Sequence, residues 1–209
     1  MKLMRFTLGV ALLCLSLVVY AAPAQSPTEL VSGTSSRVLA ELESRRQEFA
    51  SNPSALEAFA FKEIDALIDR ERATQMALGA AARTATPAEL EAFGRALTKN
   101  LASRYGMALL EFDGRRPIKV LGSSELPKGR GVKVATFAYR RDGTEIPVDY
   151  MLREVNGTWK VFDVQIEGFS YAMTLRGLFA EDLRTQSVGQ VAAALEAKTA
   201  TSTASGHRP

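Results

Sequence analysis

Asp163 lies within Trp159-Lys160-Val161-Phe162-Asp163-Val164, a carboxylate set among apolar side chains on what reads as a β-strand. A carboxyl in such a place needs hydrogen-bonding partners or a pKa shifted toward its neutral form. Two roles follow. With Tyr150 on the preceding strand, a raised Asp163 would move a proton on a hydrophobic substrate held in an apolar cup. With Arg176, which falls in the following helical segment, it would instead form a strut tying helix to sheet. Other catalytic constellations lack their parts. His207 is the only histidine and stands in a polar C-terminal stretch, and Cys14 is the only cysteine, so a Ser-His-Asp triad and a metal cluster are excluded.

The elements that must position Asp163 are legible in Ile146 to Phe179. Two alternating runs meet at Asn156-Gly157, the pair suited to a type I′ turn because both central residues need positive φ. On the first strand Ile146, Val148, Tyr150 and Leu152 share one face, with Asp149 and Arg153 on the other. On the second, alternation puts Phe162, Val164 and Ile166 opposite Trp159, Val161 and Asp163, the pattern of a strand covered on both sides. Gly168 then lets the chain bend, and Ser170 can cap the next helix.

Upstream, Thr28 is a candidate cap for an amphipathic helix reaching about Ala50, and Asn52-Pro53 restarts the chain as cap and first helical residue. Thr86-Pro87-Ala88-Glu89 predicts a capping box. Leu90, Phe93, Leu97, Leu101 and Tyr105 follow at helical spacing. From Pro117 the period becomes alternating, through Ile118, Val120, Val132, Val134 and Phe137, with turns at Gly129-Arg130-Gly131 and Asp142-Gly143. The expected architecture is α+β: a curved, four-stranded antiparallel sheet packed against several helices that enclose an apolar cavity, a layout that resembles cystatin-like and NTF2-like folds, with a last helix from about Ser187 to Lys198.

Residues 1–24 read as a secretory signal peptide, with Lys2 and Arg5 before an apolar run from Phe6 to Val19 and small residues at Ala21, Ala22 and Ala24. Cleavage is expected after Ala24, or else after Ala21. That organisation leaves a single domain over 25–198 and a disordered tail over 199–209. The chain carries 26 basic and 23 acidic residues. Removing Lys2 and Arg5 with the leader leaves the rest nearly neutral, so the basic pI is no nucleic-acid footprint. Arg130-Gly131 and Phe137 faintly echo an RNA-binding strand, but Val132, Lys133 and Val134 replace the stacking aromatics it needs.

The pattern Ile146-Pro-Val-x-Tyr150, then Gly157-x-Trp159-Lys-Val-x-Asp163-Val-x-Ile-Glu-Gly168-x-Ser170, then Arg176-x-x-Phe179 resembles the MlaC family of periplasmic phospholipid-binding proteins. These are also called toluene-tolerance auxiliary components of ABC transporters. Leu78-Gly79, Ala85-Thr-Pro-Ala-Glu89 and Tyr105-Gly106 extend the likeness upstream. The chain departs from the pattern at Ala80-Ala81-Ala82, at Thr174-Leu175 and in an alanine-rich last helix, where bulkier or different side chains are usual.

The resemblance implies a monomeric, non-enzymatic periplasmic carrier without cofactor or metal, which holds phospholipid acyl chains in an apolar cavity. It also implies exchange between an outer-membrane lipoprotein partner and an inner-membrane MCE-type ABC permease complex, with no role for nucleic acid. The lining expected from the residues is Phe93, Leu97, Leu101, Tyr105, Val148, Tyr150, Leu152, Trp159, Val161, Phe162 and Val164, with Asp163 and Arg176 as scaffolding. Sheltering hydrocarbon is worth about 0.8 kcal/mol per CH₂, so a ~16-carbon chain gains roughly 12 kcal/mol over water, about what a bilayer offers. Such a site exchanges lipid in either direction. The sequence has no GxxxxGK[ST] loop, so net direction falls to partners.

Overall fold

Ser26, rather than Thr28, starts the first helix: its hydroxyl accepts from the Glu29 amide while the Glu29 carboxylate accepts from the Ser26 amide. A computed structural model of the chain describes residues 25–205. The leader expected at 1–24 lies outside those residues, as does His207. Helix α1 (Pro27–Ser44) breaks at Arg45 and resumes as α2 (Arg46–Ser51). Asn52 caps α3 (Pro53–Leu67), with Pro53 as its first residue. Asp69 caps α4 (Arg70–Leu78), which ends at Gly79 and passes into a 3-10 turn over Gly79–Arg83. The Thr86–Glu89 capping box forms as expected and opens α5 (Pro87–Tyr105).

The sheet is antiparallel in the order β1 (Lys119–Glu125), β2 (Val132–Tyr139), β3 (Glu145–Val155), β4 (Thr158–Ile166) and β5 (Phe169–Ser170). It has five strands where the sequence predicts four. The fifth follows a second two-residue turn, Glu167-Gly168, in which both residues take positive φ as Asn156 and Gly157 do. Glu167 is not a residue that advertises that conformation, so this turn is hard to see in the sequence. Ser170 ends β5 and caps α6 (Tyr171–Phe179), accepting from the Met173 amide. A short α7 (Asp182–Thr185) leads to α8 (Val188–Ser205).

Helix α8 runs past Lys198, where the sequence reading begins a disordered tail. Thr199 is buried on α5: its hydroxyl accepts from the Asn100 side chain at 2.9 Å and donates to the Leu195 carbonyl. A polar, alanine-rich stretch continues as helix because that contact holds it.

The core divides into three apolar clusters. One joins α4, α5, α6 and α8 through Leu78, Phe93, Leu97, Leu175 and Val191. A second joins the sheet to Val31 of α1. A third, around Leu42, Phe49, Leu56 and Phe59, seals the α1–α3 corner. No helix among the described residues is long and apolar enough to cross a membrane.

Candidate functional site

The inner face of the β3–β4 hairpin is assembled by register. Val148 pairs with Ile166, Tyr150 with Val164, Leu152 with Val161 and Glu154 with Trp159. The ladder shifts between Met151 and Leu152, leaving Phe162 as the extra residue of a β-bulge. The bulge changes the phase of β4. Strict alternation places Trp159 and Val161 opposite Val164, whereas all three pack in the cluster that contains Val148, Tyr150 and Leu152. Leu152 and Val134 are fully buried at its centre, and α1 covers it.

Phe93, Leu97 and Leu101 lie elsewhere, in the helical cluster. The Phe93 ring meets Phe179 edge-on at 5.2 Å, which explains the phenylalanine of Arg176-x-x-Phe179. Tyr105 is exposed at the end of α5, where its ring stands edge-on to Tyr171 at 5.4 Å. Phe162 is buried. The expected lining is thus divided between a sheet wall and a helix wall, with Tyr105 exposed at the margin and Phe162 in neither cluster.

Asp163 pairs with Met151 on the opposite face of the sheet from Tyr150. It accepts hydrogen bonds from the Ser170 hydroxyl at 2.5 Å and from the Ala172 amide at 2.9 Å, at the start of α6. Its partner is therefore the helix N-terminus, where an acidic group is favoured, and not the Arg176 of the expected strut. Arg176 lies instead over Gly79, with its Nε 2.6 Å from where a Cβ on residue 79 would stand. Tyr150 faces α1, where Ser35 is its hydrogen-bonding partner, and burial pushes its phenol above the ordinary range. Asp163 and Tyr150 do not form an acid–base pair: the sheet separates them.

A polar tie absent from the sequence reading is centred on Asp69. This buried residue accepts from the Arg72 amide, pairs with the Arg153 guanidinium, and donates its own amide to the Val161 carbonyl at 2.7 Å. It fastens the α3–α4 junction to the outer edge of β4. The signal was available: an aspartate directly before Arg-Glu-Arg can cap a helix, while Arg153 alternates to the polar face of β3.

Two depressions open where the layers meet. One, of about 480 Å³, is lined by Arg72, Gly129, Arg130, Gly131, Arg153, Glu154 and Trp159. The other, of about 360 Å³, lies between the 3-10 turn and the α7–α8 junction. It is lined by Ala80, Ala81 and Ala85 together with Glu89, Leu183 and Val188, so part of the alanine run that departs from the family pattern forms one of its walls.

These features define a class: an α+β protein whose curved antiparallel sheet turns one apolar face to helices, with a second apolar wall built from helices alone. Comparison with known proteins narrows it. The family model described as MlaC protein matches residues 32–197, and the chain belongs to the MlaC family. It is 24% identical over 177 residues to the toluene tolerance protein ttg2D of Pseudomonas putida, spanning 84% of this chain and 81% of that protein. Its fold is similar to that of the phospholipid-binding protein from Ralstonia solanacearum, solved in complex with a phospholipid. The TM-score is 0.71 at 22% identity, covering 87% of this chain and 99% of the other.

Proposed function

We propose that this protein is a periplasmic carrier that shelters the acyl chains of a phospholipid at the seam between the sheet wall and the helix wall. The observation that supports the reading is a pair of apolar clusters, one on the sheet that holds Val148, Tyr150, Leu152, Trp159, Val161 and Val164, and one among the helices that holds Phe93, Leu97 and Leu101. Membership of the MlaC family and the phospholipid held by the similar Ralstonia protein support it. Hydrocarbon placed there exchanges one apolar environment for another, so loading and release are close to balanced. Net direction then comes from partners, an outer-membrane lipoprotein on one side and an MCE-type ABC permease on the other. The leader read in residues 1–24 supports the compartment.

The reading is tested by expressing the protein with its leader, recovering it from the periplasm, extracting it with organic solvent and measuring the lipid by mass spectrometry. Close to stoichiometric phospholipid is expected. Purified protein that carries none would sink the carrier reading and leave an adaptor that docks without cargo.

A further inference from the structure

The 480 Å³ depression at the end of the sheet is not absorbed by a purely apolar carrier, because its wall is cationic. Three arginines line it from three elements: Arg72 from α4, Arg130 from the β1–β2 loop and Arg153 from β3. Their occupation differs. Arg153 is paired with Asp69. Arg130 gives its Nε to the Pro127 carbonyl at 3.0 Å, leaving its two terminal amino groups outside any hydrogen bond or ion pair among the described residues. The Arg72 side chain has no such partner at all among those residues. The acidic groups nearby are Glu154, which lines the hollow, Asp69 behind Arg153, and Glu71 within electrostatic reach of Arg153.

The loop that delivers Arg130 is held against the sheet by Gly131. Its φ is +129°, and a Cβ there would stand 2.0 Å from the Leu152 carbonyl oxygen. Only glycine lets the loop lie this close to Arg153. Trp159 completes the hollow and also packs in the apolar cluster of the sheet wall. A charged mouth therefore adjoins hydrocarbon through one amphipathic side chain.

We propose that this hollow binds a phosphate group bearing uncompensated negative charge. The ligand is the phosphodiester head of an anionic glycerophospholipid or a water-soluble phosphate ester of the same chemistry. Planar guanidiniums with free amino groups suit phosphate oxygens, and the volume exceeds a bare phosphate while accommodating a glycerol-bearing head. The lipid form of the ligand rests on the carrier reading above; the anion site does not. An amine-bearing head brings its own positive charge to the three arginines and is disfavoured.

Two arms test this with the wild type and the Arg72→Gln/Arg130→Gln variant, which leaves the Arg153–Asp69 tie in place. In the first, delipidated protein is titrated calorimetrically with glycerophosphoglycerol, glycerophosphoethanolamine and inorganic phosphate. In the second, protein is incubated with vesicles of equal parts phosphatidylglycerol and phosphatidylethanolamine, re-isolated, and its lipid measured. Expected are enrichment of phosphatidylglycerol by several-fold in the wild type, loss of that enrichment in the variant at unchanged total lipid, and glycerophosphoglycerol binding weakened about tenfold or more. Anion binding without lipid uptake would defeat the carrier reading while supporting a site for soluble phosphate esters. Wild type and variant that are indistinguishable in both arms overturn the site.

Discussion

Arg176 lies over the α-carbon of Gly79, joining two stretches of the MlaC-like pattern, Leu78-Gly79 and Arg176-x-x-Phe179, that are nearly a hundred residues apart. Gly79 ends α4 with φ +59°, a conformation that side chains resist, and the guanidinium occupies the space a side chain would need. Gly79→Ala is expected to cost about 1–3 kcal/mol, mainly from backbone strain, because the tip of an arginine can swing away at little cost. Chemical denaturation of Gly79→Ala with and without Arg176→Ala checks this. Full rescue by the second change would show that the clash, not the backbone, dominates.

Asp163 is expected to act as a fastener. Replacing it with alanine removes the acceptor for the Ser170 hydroxyl and the Ala172 amide, and charge-assisted bonds of this kind contribute about 1.5–3 kcal/mol. Asp163→Ala should lower unfolding stability by about 3 kcal/mol, and Asp163→Asn, which keeps one acceptor oxygen, by less. Equilibrium urea unfolding measures both. A variant as stable as the wild type would remove the fastening role.

The Tyr150 phenol is held above its ordinary value of 10.0 by burial, with Ser35 as its partner. A raised folded-state pKa means that the unfolded chain loses this proton first as pH rises. The stability it contributes is whole below about pH 10 and is lost as pH climbs from there toward the folded value. Tyr171 is shifted in the same direction, by burial and its hydrogen bond to Tyr105. Thermal melts through this alkaline range should fall more steeply for the wild type than for Tyr150→Phe. Parallel curves would contradict the assignment.

Val148 belongs to the apolar cluster of the sheet and is slightly less buried than Leu152, at 7% against 0% exposure. Val148→Trp is expected to reduce phospholipid recovered from purified protein several-fold while the chain still folds. The overpacking cost is about 1–3 kcal/mol. Leu152→Trp, at the centre of the cluster, should lower stability more. Lipid mass spectrometry alongside circular dichroism separates loading from folding; undiminished lipid in a folded Val148→Trp would move the seam elsewhere.

The parts of this fold legible in the sequence are those with local causes. Thr86-Pro87 with Glu89, Asn156-Gly157 and the Ser170 cap each depend on neighbours within a few positions, and each forms as expected. What alternation alone cannot show is a change of phase. The extra residue at Phe162 brings Trp159 and Val161 onto the face of Val164, and nothing in Val161-Phe162-Asp163 marks that position. Long-range polar pairing is equally hidden. Arg176 is the cation that the following helix offers Asp163, yet the helix N-terminus beside it satisfies the carboxylate, while Arg153 reaches Asp69 across 84 positions. The apolar residues expected to line one cup are apolar and largely buried, but periodicity does not tell which of two walls each belongs to.

Ser170 belongs at once to β5 and to the cap of α6, so no linker separates sheet from helix. With Asp163 holding the first turn of that helix from the middle of β4, a bend in the strand is carried into α6 as a lever carries a rotation. The sheet and α6 are thus tied twice, through the chain at Ser170 and through Asp163, and a displacement of one is passed directly to the other.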